Sequence, residues 1–582
     1  MTQIQLHSDD EIERLAIRAL TLEERLRLAV SLADSAKTDN HTEVESLNIW
    51  RVWFNRGSAT SDAWSKFLAE NRLDERKLVR LANMAGAINL PSWVETLRRL
   101  ARYLQSTIVD LDANQSVSEN VAAPLVRFAW NELVTSSNAA NLRALSAKAQ
   151  LALRQSLLVR LVRSATPAVN WEVSATRAAR NLSAGSAPRN EIDFLNYFFS
   201  ASVTVETRRF LENYPALARL WVVQIEQWRQ FVADFLKEAV AFSSRFRNGP
   251  DEITPIISSV TVDLSDPHGG NRTVVRVNFG KKREWFYKPR SGLQERAWFE
   301  LLTWINQRGF ARPFQIVSVP AQDRQCWMES VRSRDCRSQK EAVDFSFRLG
   351  ALMCLVHVLR GVDFHPANVI TSGDQPIIVD CETLLHPATF LPDDARAEES
   401  SILRTGMLAL VKDIWTMAAK MRPGSEDLFE RLIEGFRAMR DFFQTDRLAL
   451  SHLEKWRTRL KKVPGRNVYR PTVHYYKMLE SSLAPLVLTS GLDRSLYLHA
   501  SCRAACNSTR RARAEVQALQ NADIPVFLGK RCPTNVDLSE ETLGESISMI
   551  RATFESVARS SSQVLPSGGL FNESHQRTQV HR

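Results

Sequence analysis

Residues 363–385 read DFHPANVITSGDQPIIVDCETLL, a stretch that joins short apolar runs to many polar side chains. The runs NVI and PIIV are rich in branched residues and flank the polar turn TSGDQ, a pattern that predicts strand, turn and strand. Five polar groups surround this unit: Asp363, His365, Asn368, Asp380 and Glu382. The stretch therefore predicts a hairpin that carries possible catalytic side chains.

The spacing of these groups fits transfer of a phosphoryl group to a hydroxyl. Asp363 precedes Asn368 by five residues, and Asp380 follows twelve residues later, at the end of PIIV. A kinase catalytic loop and its magnesium strand have this order: an Asp base, an Asn and a metal-binding Asp. Asn368 and Asp380 supply the oxygen ligands that magnesium prefers. The alternative is a polar hairpin without chemistry.

The segment before this stretch supplies a possible phosphate-binding turn. DPHGGNRTV (266–274) places Gly269 and Gly270 between two alternating segments. Glycines let backbone N–H groups approach a phosphate, although such a sequence is also an ordinary hairpin turn.

A lysine follows on the next predicted strand. WFYKPRS (285–291) places Lys288 among aromatic residues, where a cation could hold the α- and β-phosphates. Glu295 or Glu300 on the following helix could pair with it, and the sequence does not choose between them. The alternative is a surface lysine.

The order of patterns along the chain predicts an α+β fold. Apolar residues recur at helical spacing through the first 250 residues, as in 78–90 and 217–242. Strand patterns then occupy 257–291, and PFQIVSVP and CWMESV are expected to be further strands. We expect four parts: a helical region at 1–250, a sheet-rich lobe at 251–336, a helical lobe at 337–558 and a disordered tail at 559–582.

Composition narrows the class of protein and its partners. The 582 residues are 44% hydrophobic and 24% charged, which argues against a mainly disordered, collagen-like or membrane-bundle chain. The net charge of +11 favours anionic partners. No basic stripe carries interleaved aromatic residues, so we expect no nucleic-acid partner.

The cysteine content and the hydropathy indicate the cellular compartment of the protein. Seven cysteines are sparse and odd in number, which fits a reducing compartment. Cys502 and Cys506 have no second pair at zinc-site spacing, so no metal is expected there. The N-terminus lacks the apolar core of a secretory signal, and no run approaches the ~20 residues of a membrane span. We expect a cytoplasmic protein without a membrane span.

Several motifs together resemble the dehydratase domain of class II lanthipeptide synthetases. The central ones are DPHGGNRTV, FYKPRS, CWMES, GVDFHPANVI and PIIVDCETLLHP. RRFLENYPALARL (208–220), GRNVYRPTVHYYKML (465–479) and ADIPVF (522–527) agree with further segments of that family. The resemblance runs from about residue 10 to residue 555.

The resemblance implies a bilobal domain similar to lipid kinases. It implies that ATP and magnesium phosphorylate Ser and Thr of a precursor peptide, and that the phosphate is then eliminated to give dehydroalanine or dehydrobutyrine. For phosphorylation, Lys288 would hold ATP and Asp363 would serve the acceptor hydroxyl. The remaining residues would complete this site and its metal: His365, Asn368, Asp380 and Glu382. Elimination would use Asp266, His268, Arg466 and Thr472, since a guanidinium and a hydroxyl can hold a leaving phosphate.

The sequence departs from the family pattern at a few places. The cysteine–glycine and cysteine–histidine pairs that the family's cyclase domain uses for zinc are missing. We expect a stand-alone dehydratase that works with a separate cyclase, a degenerate homologue, or a sequence cut at the boundary of the cyclase domain. Ala522 stands where the family has glycine, and Val526 where it has an aromatic residue. Two alternatives stay open: a kinase that leaves the phosphate in place, and a non-catalytic scaffold that binds a leader peptide.

Overall fold

The computed structural model divides the chain into two compact units. Unit 1 contains residues 1–289 and 470–526, and unit 2 contains residues 290–469 and 527–582. The four-part division expected from the sequence stays a prediction. Within these units the structure describes residues 9–28, 40–55, 62–84, 86, 89–136, 139–182, 195–196, 198–199, 202–246, 257–280, 283–387, 402–414, 425–503, 508–529, 531 and 539–562.

The fold is mostly helical with small antiparallel sheets, which confirms the α+β class. In the described part of residues 1–246, every regular element is a helix, as the apolar periodicity predicted. These helices of unit 1 are α1 Asp9–Ala19, α2 Leu22–Leu28, α3 Asn40–Asn55, α4 Ala63–Asn71, α5 Glu75–Ala82, α6 Trp93–Ser106, α7 Val117–Val134, α8 Ala139–Leu142, α9 Ala147–Leu182, α10 Val203–Asn213 and α11 Pro215–Ser243.

Helix α11 forms the centre of unit 1. Its side chains Trp221, Trp228, Phe231 and Phe235 are buried almost completely. Burial of aromatic residues of this size removes a large apolar area from water and dominates the energetics of a core. The helix therefore gives unit 1 a stable base on which the shorter elements pack.

The sheet of unit 1 is a meander of three strands within the predicted region 257–291: β1 Ile257–Thr261, β2 Val275–Phe279 and β3 Arg283–Lys288. Val260 pairs with Val277, and Val275 pairs with Tyr287, all in antiparallel register. The long connection between β1 and β2 contains the glycine turn. Unit 1 ends with helices α16 Thr472–Ser481, α17 Pro485–Leu488, α18 Gly491–Arg503 and α19 Thr509–Leu519.

Unit 2 combines helices with two short antiparallel pairs of strands. Strand β5 pairs with β6, and β7 pairs with β8, both antiparallel. In chain order its elements are α12 Leu293–Gln307, β4 Cys326–Glu329, α13 Gln339–Val358, β5 Val369–Ser372, β6 Gln375–Ile378, α14 Ser425–Thr445, α15 Arg447–Leu460, β7 Gly465–Asn467, β8 Phe527–Gly529 and α20 Glu540–Ser562.

Helices α13 and α14 cross at backbone contact. A Cβ atom added at Gly350 would lie 1.8 Å from the carbonyl oxygen of Leu432, and one at Gly435 would lie 1.8 Å from that of Phe347. Only glycine allows this approach, since no side chain stands between the helices. The close crossing fixes the course of α13, whose C-terminus leads into the loop of Asp363.

Three expectations from the sequence need correction. PFQIVSVP (313–320) is not a strand, although the carbonyls of Ser318 and Pro320 accept hydrogen bonds from β4. Two of its residues are prolines, which lack the N–H that a ladder requires. The helical pattern at 78–90 ends at Ala82, followed by a turn. The expected disordered tail begins inside α20, and residues 563–582 lie outside the described residues.

The described helices include none that is long and apolar enough to cross a membrane.

Candidate functional site

The predicted hairpin exists and brings Asn368 beside the residue before Asp380. Strands β5 and β6 pair from Val369 with Ile378 to Ser372 with Gln375. One step further, the N–H of Val379 donates to the carbonyl of Asn368 at 3.0 Å. The two predicted magnesium ligands therefore flank the open end of one hairpin.

The loop before the hairpin holds Asp363 in an unusual backbone conformation. Its φ is +66°, in the left-handed region that few non-glycine residues adopt. The amide nitrogen of Asn368 donates to the Asp363 carbonyl at 2.8 Å, and Phe364, which is fully buried, donates its N–H to Thr405 at 2.8 Å. Strained residues held in this way cluster at functional sites.

His365 lies beside Asp363 on the same loop. Its Nε2 is 3.7 Å from an Asp363 carboxylate oxygen, and its Nδ1 accepts the N–H of Ala367 at 3.2 Å. The amide nitrogen of Asn368 lies 3.5 Å from Nε2. The structure thus brings Asp363, His365 and Asn368 together, as the sequence predicted.

Two arginines and three carboxylates form what we call the charged cluster: Arg290, Glu295, Asp380, Glu382 and Arg466. Arg290 contacts all three carboxylates, at 2.6 Å from Glu295, 2.9 Å from Asp380 and 3.2 Å from Glu382. Arg466 lies on strand β7 and contacts the other oxygen of Glu382 at 2.6 Å. The backbone N–H of Arg466 also donates to the Glu382 carbonyl, at 3.1 Å.

The charged groups of this region shift the pKa of Asp363 in both directions. Burial raises the pKa of Asp363 above its ordinary value, and Asp380 and Glu382 act in the same direction, against His365 and Arg466. A third guanidinium, that of Arg531, donates to the Glu382 carbonyl at 3.4 Å. Burial lowers the pKa of Arg531, and Glu295 and Glu382 both act to raise it. The arginines and carboxylates of this region therefore interact as one charged network.

The oxygen donors at the hairpin fit magnesium. Asn368 and Asp380 offer an amide and a carboxylate oxygen, and magnesium commonly takes one or two protein ligands together with phosphate oxygens and water. Among the described residues, no group of three or more His, Cys, Asp or Glu side chains could hold a metal alone. The third predicted ligand, Glu382, is already bonded to Arg290 and Arg466.

The glycine turn of unit 1 binds a carboxylate of its own unit. We call residues 266–272 and 521–524 the turn cluster. Gly270 and Asn271 donate their N–H groups to the two carboxylate oxygens of Asp523, at 2.7 and 3.3 Å. Gly270 has a φ of +94°, which glycine adopts without strain. The N–H of Gly270, predicted to approach phosphate, thus has an anionic partner within the protein.

Asp266 and His268 stand at the start of the same turn. The Tyr476 hydroxyl donates to Asp266 at 3.0 Å, and burial raises the pKa of Tyr476, which stays a donor. His268 Nδ1 lies 2.9 Å from the Ile524 carbonyl oxygen. Tyr476 belongs to helix α16, whose first residue is Thr472. Three of the four predicted elimination residues therefore belong to one part of unit 1, and Arg466 belongs to unit 2.

Lys288 and its two possible partners have different surroundings. Lys288 ends strand β3 and is only 6% exposed, unlike an ordinary surface lysine. Glu295 is fully buried and bonded to Arg290, whereas the Glu300 side chain is half exposed and pairs with Arg459. The pairing of either with Lys288 stays a prediction.

Comparison with known sequences identifies the family to which the chain belongs. The family described as "Domain of unknown function (DUF4135)" matches residues 214–421 and 418–530, which is more than half of the chain. The chain belongs to the DUF4135 family. The matched region contains the glycine turn, Lys288, the hairpin, Arg466 and Thr472.

A curated relative supports the same relationship. The Lacticin 481/lactococcin biosynthesis protein LcnDR2 of Lactococcus lactis subsp. lactis is 24% identical over 162 residues. The alignment covers 25% of this chain and 17% of that protein, so it spans a small part of the relative's length. Family and relative together confirm the resemblance to class II lanthipeptide synthetases that the motifs indicated.

Three site residues were missed in the sequence. Arg290 stands within YKPRS, but nothing in the spacing assigned it the centre of a charged cluster. Tyr476 and Asp523 stand within quoted segments and gave no sign of bonding the glycine turn. The second basic residue of the motif YKPRS, Arg290, is the one signal that could have pointed to an acidic partner far along the chain.

Proposed function

We propose that this chain is a lanthipeptide dehydratase. It phosphorylates Ser and Thr of a precursor peptide with ATP and magnesium and then eliminates the phosphate, which yields dehydroalanine or dehydrobutyrine. The proposed domain is bilobal and similar to lipid kinases. The observation that carries the proposal is the placement of Asp363, His365 and Asn368 on one strained loop next to the charged cluster.

Phosphorylation is assigned to the residues of that loop and hairpin. Asp363 accepts the proton of the Ser or Thr hydroxyl, and its raised pKa makes it a better proton acceptor than an ordinary carboxylate. Asn368 and Asp380 would hold magnesium, which neutralises charge on the transferred phosphate. Lys288, buried at the end of β3, would hold the nucleotide phosphates. Arg290 keeps Asp380 and Glu382 at fixed positions.

Elimination is assigned to Asp266, His268, Arg466 and Thr472. A base takes the proton from Cα of the phosphorylated residue, the C–H electron pair forms the Cα=Cβ double bond, and the Cβ–O bond breaks so that phosphate leaves with its electrons. Arg466 would stabilise the charge on the departing phosphate, and Thr472 would donate a hydrogen bond to it.

Mass spectrometry of a Ser/Thr-rich precursor peptide tests the proposal. The peptide is incubated with the protein, ATP and magnesium, and each product is assigned as phosphorylated or dehydrated. Loss of water at Ser or Thr is the expected result. Accumulated phosphopeptide without dehydration would instead identify a kinase, and an unchanged but bound peptide would identify a scaffold.

A further inference from the structure

We propose that Asp523 and Ile524 are positioning residues for elimination, and that they make Nε2 of His268 its proton-accepting atom. This inference rests on the function proposed above, which places His268 in the elimination step. No sequence motif assigned these two residues a role in that step. The inference depends only on contacts inside unit 1.

The hydrogen bond to Ile524 fixes the tautomer of His268. A carbonyl oxygen carries no proton, so a bond at 2.9 Å from Nδ1 requires the proton to lie on Nδ1. The neutral ring then carries its lone pair on Nε2. A backbone carbonyl that fixes one nitrogen in this way decides which nitrogen of a histidine can accept a proton.

Ile524 is itself fixed to the turn by its backbone. Its N–H donates to the carbonyl of Pro267 at 2.9 Å, one residue before His268. The chain of Ile524 therefore bonds to the 267–268 segment through both its N–H and its carbonyl. The backbone bond to Pro267 therefore keeps the Ile524 carbonyl beside Nδ1 of His268.

Asp523 holds the other side of the turn. Its carboxylate accepts the N–H groups of Gly270 and Asn271, and its side chain is 7% exposed in the folded protein. The amide nitrogen of Asn271 adds bonds to the Asn521 carbonyl and to Gln227, at 3.0 and 2.5 Å. Gly270 and Asn271 both have positive φ, a conformation that persists where surrounding bonds over-determine it.

The consequence is a rigid turn that presents two residues of the proposed elimination set. Asp266 is fixed by Tyr476 at one end, and His268 is fixed by Ile524 in the middle. Neither Asp523 nor Ile524 needs to touch the substrate for this effect. Loss of the Asp523 carboxylate should release the turn, allow the imidazole to rotate and mix its tautomers.

Kinetics with a prephosphorylated peptide separates this role from general destabilisation. Asp523→Ala and Asp523→Asn are compared with wild type for elimination from a synthetic phosphoserine peptide, supplied with magnesium and ADP. We expect kcat to fall by about 10–100-fold, the range for loss of an outer hydrogen-bond partner, while KM changes little. Phosphorylation of the unmodified peptide should stay near the wild-type rate in the same variants. Asp523→Glu should recover part of the elimination rate.

Asp234→Asn is the matched control. Asp234 also contacts the turn, through the Arg272 side chain at 2.5 Å, but it accepts no backbone N–H of the turn. We expect it to eliminate phosphate at the wild-type rate. Nitrogen NMR of labelled histidine gives a readout independent of activity: the signal lost in His268→Gln should show a protonated Nδ1 in wild type and mixed tautomers in Asp523→Asn.

The outcomes distinguish this inference from the proposed function. If wild type eliminates phosphate but Asp523→Ala and Asp523→Asn do so at the same rate, the positioning role is wrong. An equal loss of both steps would mean that Asp523 only stabilises unit 1, and a proton on Nε2 in wild type would overturn the tautomer. If wild type does not act on the phosphopeptide, the proposed function itself fails.

Discussion

The charged cluster of unit 2 and the turn cluster of unit 1 stabilise polar groups in opposite ways. In the charged cluster, the carboxylates form ion pairs with the guanidinium groups of Arg290 and Arg466. In the turn cluster, the Asp523 carboxylate is held by backbone N–H groups and the single imidazole by a carbonyl. We propose that the first arrangement serves magnesium and phosphoryl transfer through Asp380, and that the second controls a proton.

The largest effect is expected at the hairpin of the charged cluster. Asp380→Asn removes a charge that contacts Arg290 and that we assign to magnesium. The activation free energy of phosphorylation should therefore rise by about 4 kcal/mol, which lowers the rate about 10³-fold. The rate of phosphopeptide formation with ATP and magnesium measures this. Asp374→Asn changes a carboxylate at the hairpin turn, which pairs with Arg348, and should leave the rate unchanged. An Asp380→Asn protein with wild-type phosphorylation would remove the magnesium assignment.

Arg466 tests whether the two steps use separate residues, since it lies in the charged cluster but is assigned to elimination. Arg466→Ala removes a guanidinium that we assign to the leaving phosphate, and loss of one such contact typically costs about 3–4 kcal/mol, or 10²–10³-fold. Phosphopeptide should therefore accumulate with little dehydrated product, as mass spectrometry would show. Arg459→Ala, which removes an exposed arginine paired with Glu300, is the control. Loss of both steps would mean that Arg466 serves phosphorylation through Glu382 as well, and normal dehydration would favour a kinase without elimination.

The same variant should move the pH dependence of phosphorylation. Arg466 lowers the pKa of Asp363, which burial raises. Asp363 must be ionised to accept a proton, so activity falls as pH decreases through its pKa. Without Arg466 that pKa rises, and the acidic limb of the rate profile should shift to higher pH. An unshifted limb would place Arg466 too far from Asp363 to act on it.

Stability should depend on pH in opposite directions in the two units. Burial lowers the pKa of His386 in unit 2 to about 4. The contribution of His386 to the free energy of unfolding is therefore complete above pH 6.5 and is lost as pH falls to about 4. Burial raises the pKa of Asp523 in unit 1 to about 6, so its contribution is complete below pH 3.8 and is lost as pH rises to about 6. Each shift corresponds to about 3 kcal/mol.

Denaturant unfolding between pH 4 and pH 7 measures this contrast. Relative to wild type, His386→Gln should gain stability as pH falls, because wild type must bury a neutral histidine. Asp523→Asn should gain stability relative to wild type as pH rises, because wild type must bury a charge. Parallel curves for wild type and either variant would show that the group concerned does not titrate between these values.

The smallest effect concerns the residue before Asp523. Ala522 has a φ of +56°, which explains why glycine stands there in the family that the sequence resembles. The left-handed conformation costs an alanine about 1–2 kcal/mol. Glycine avoids this cost but makes the unfolded chain more flexible, which lowers the free energy of unfolding by about 0.4–1 kcal/mol. Ala522→Gly should therefore stabilise the protein by up to about 1 kcal/mol in denaturant unfolding. Ala518→Gly, inside helix α19, is the control and should destabilise the protein by a similar amount. If both variants destabilise the protein equally, Ala522 is not strained.

Local patterns predicted most elements of the fold and the proximity of Asp363, His365 and Asn368. The hairpin at 369–378 and the loop of Asp363, His365 and Asn368 lie within a few residues of one another, so spacing alone was informative. Partners far along the chain left no such trace. Arg290 contacts a carboxylate 90 residues away, and Gly270 contacts one 253 residues away.

The correction at PFQIVSVP has a similar cause. Its apolar alternation is typical of a strand, and its carbonyls do accept bonds from β4. Pro313 and Pro320 lack the backbone N–H, so the segment has no hydrogen-bond donor at either end. A pattern of apolar residues does not show that these donors are missing. The same limit applies to Ala522, whose backbone conformation follows from the turn that its segment contacts.

We propose that phosphorylation and elimination use different residues. The most direct test of this division combines a synthetic phosphoserine peptide with the variant Asp363→Asn. This variant lacks the proposed base for phosphorylation but keeps Arg466, Asp266, His268 and Thr472. With magnesium and ADP present and ATP absent, we expect it to convert the phosphopeptide to dehydroalanine at close to the wild-type rate, while it fails to phosphorylate the unmodified peptide. A phosphopeptide that wild type converts and Asp363→Asn leaves intact would contradict the account.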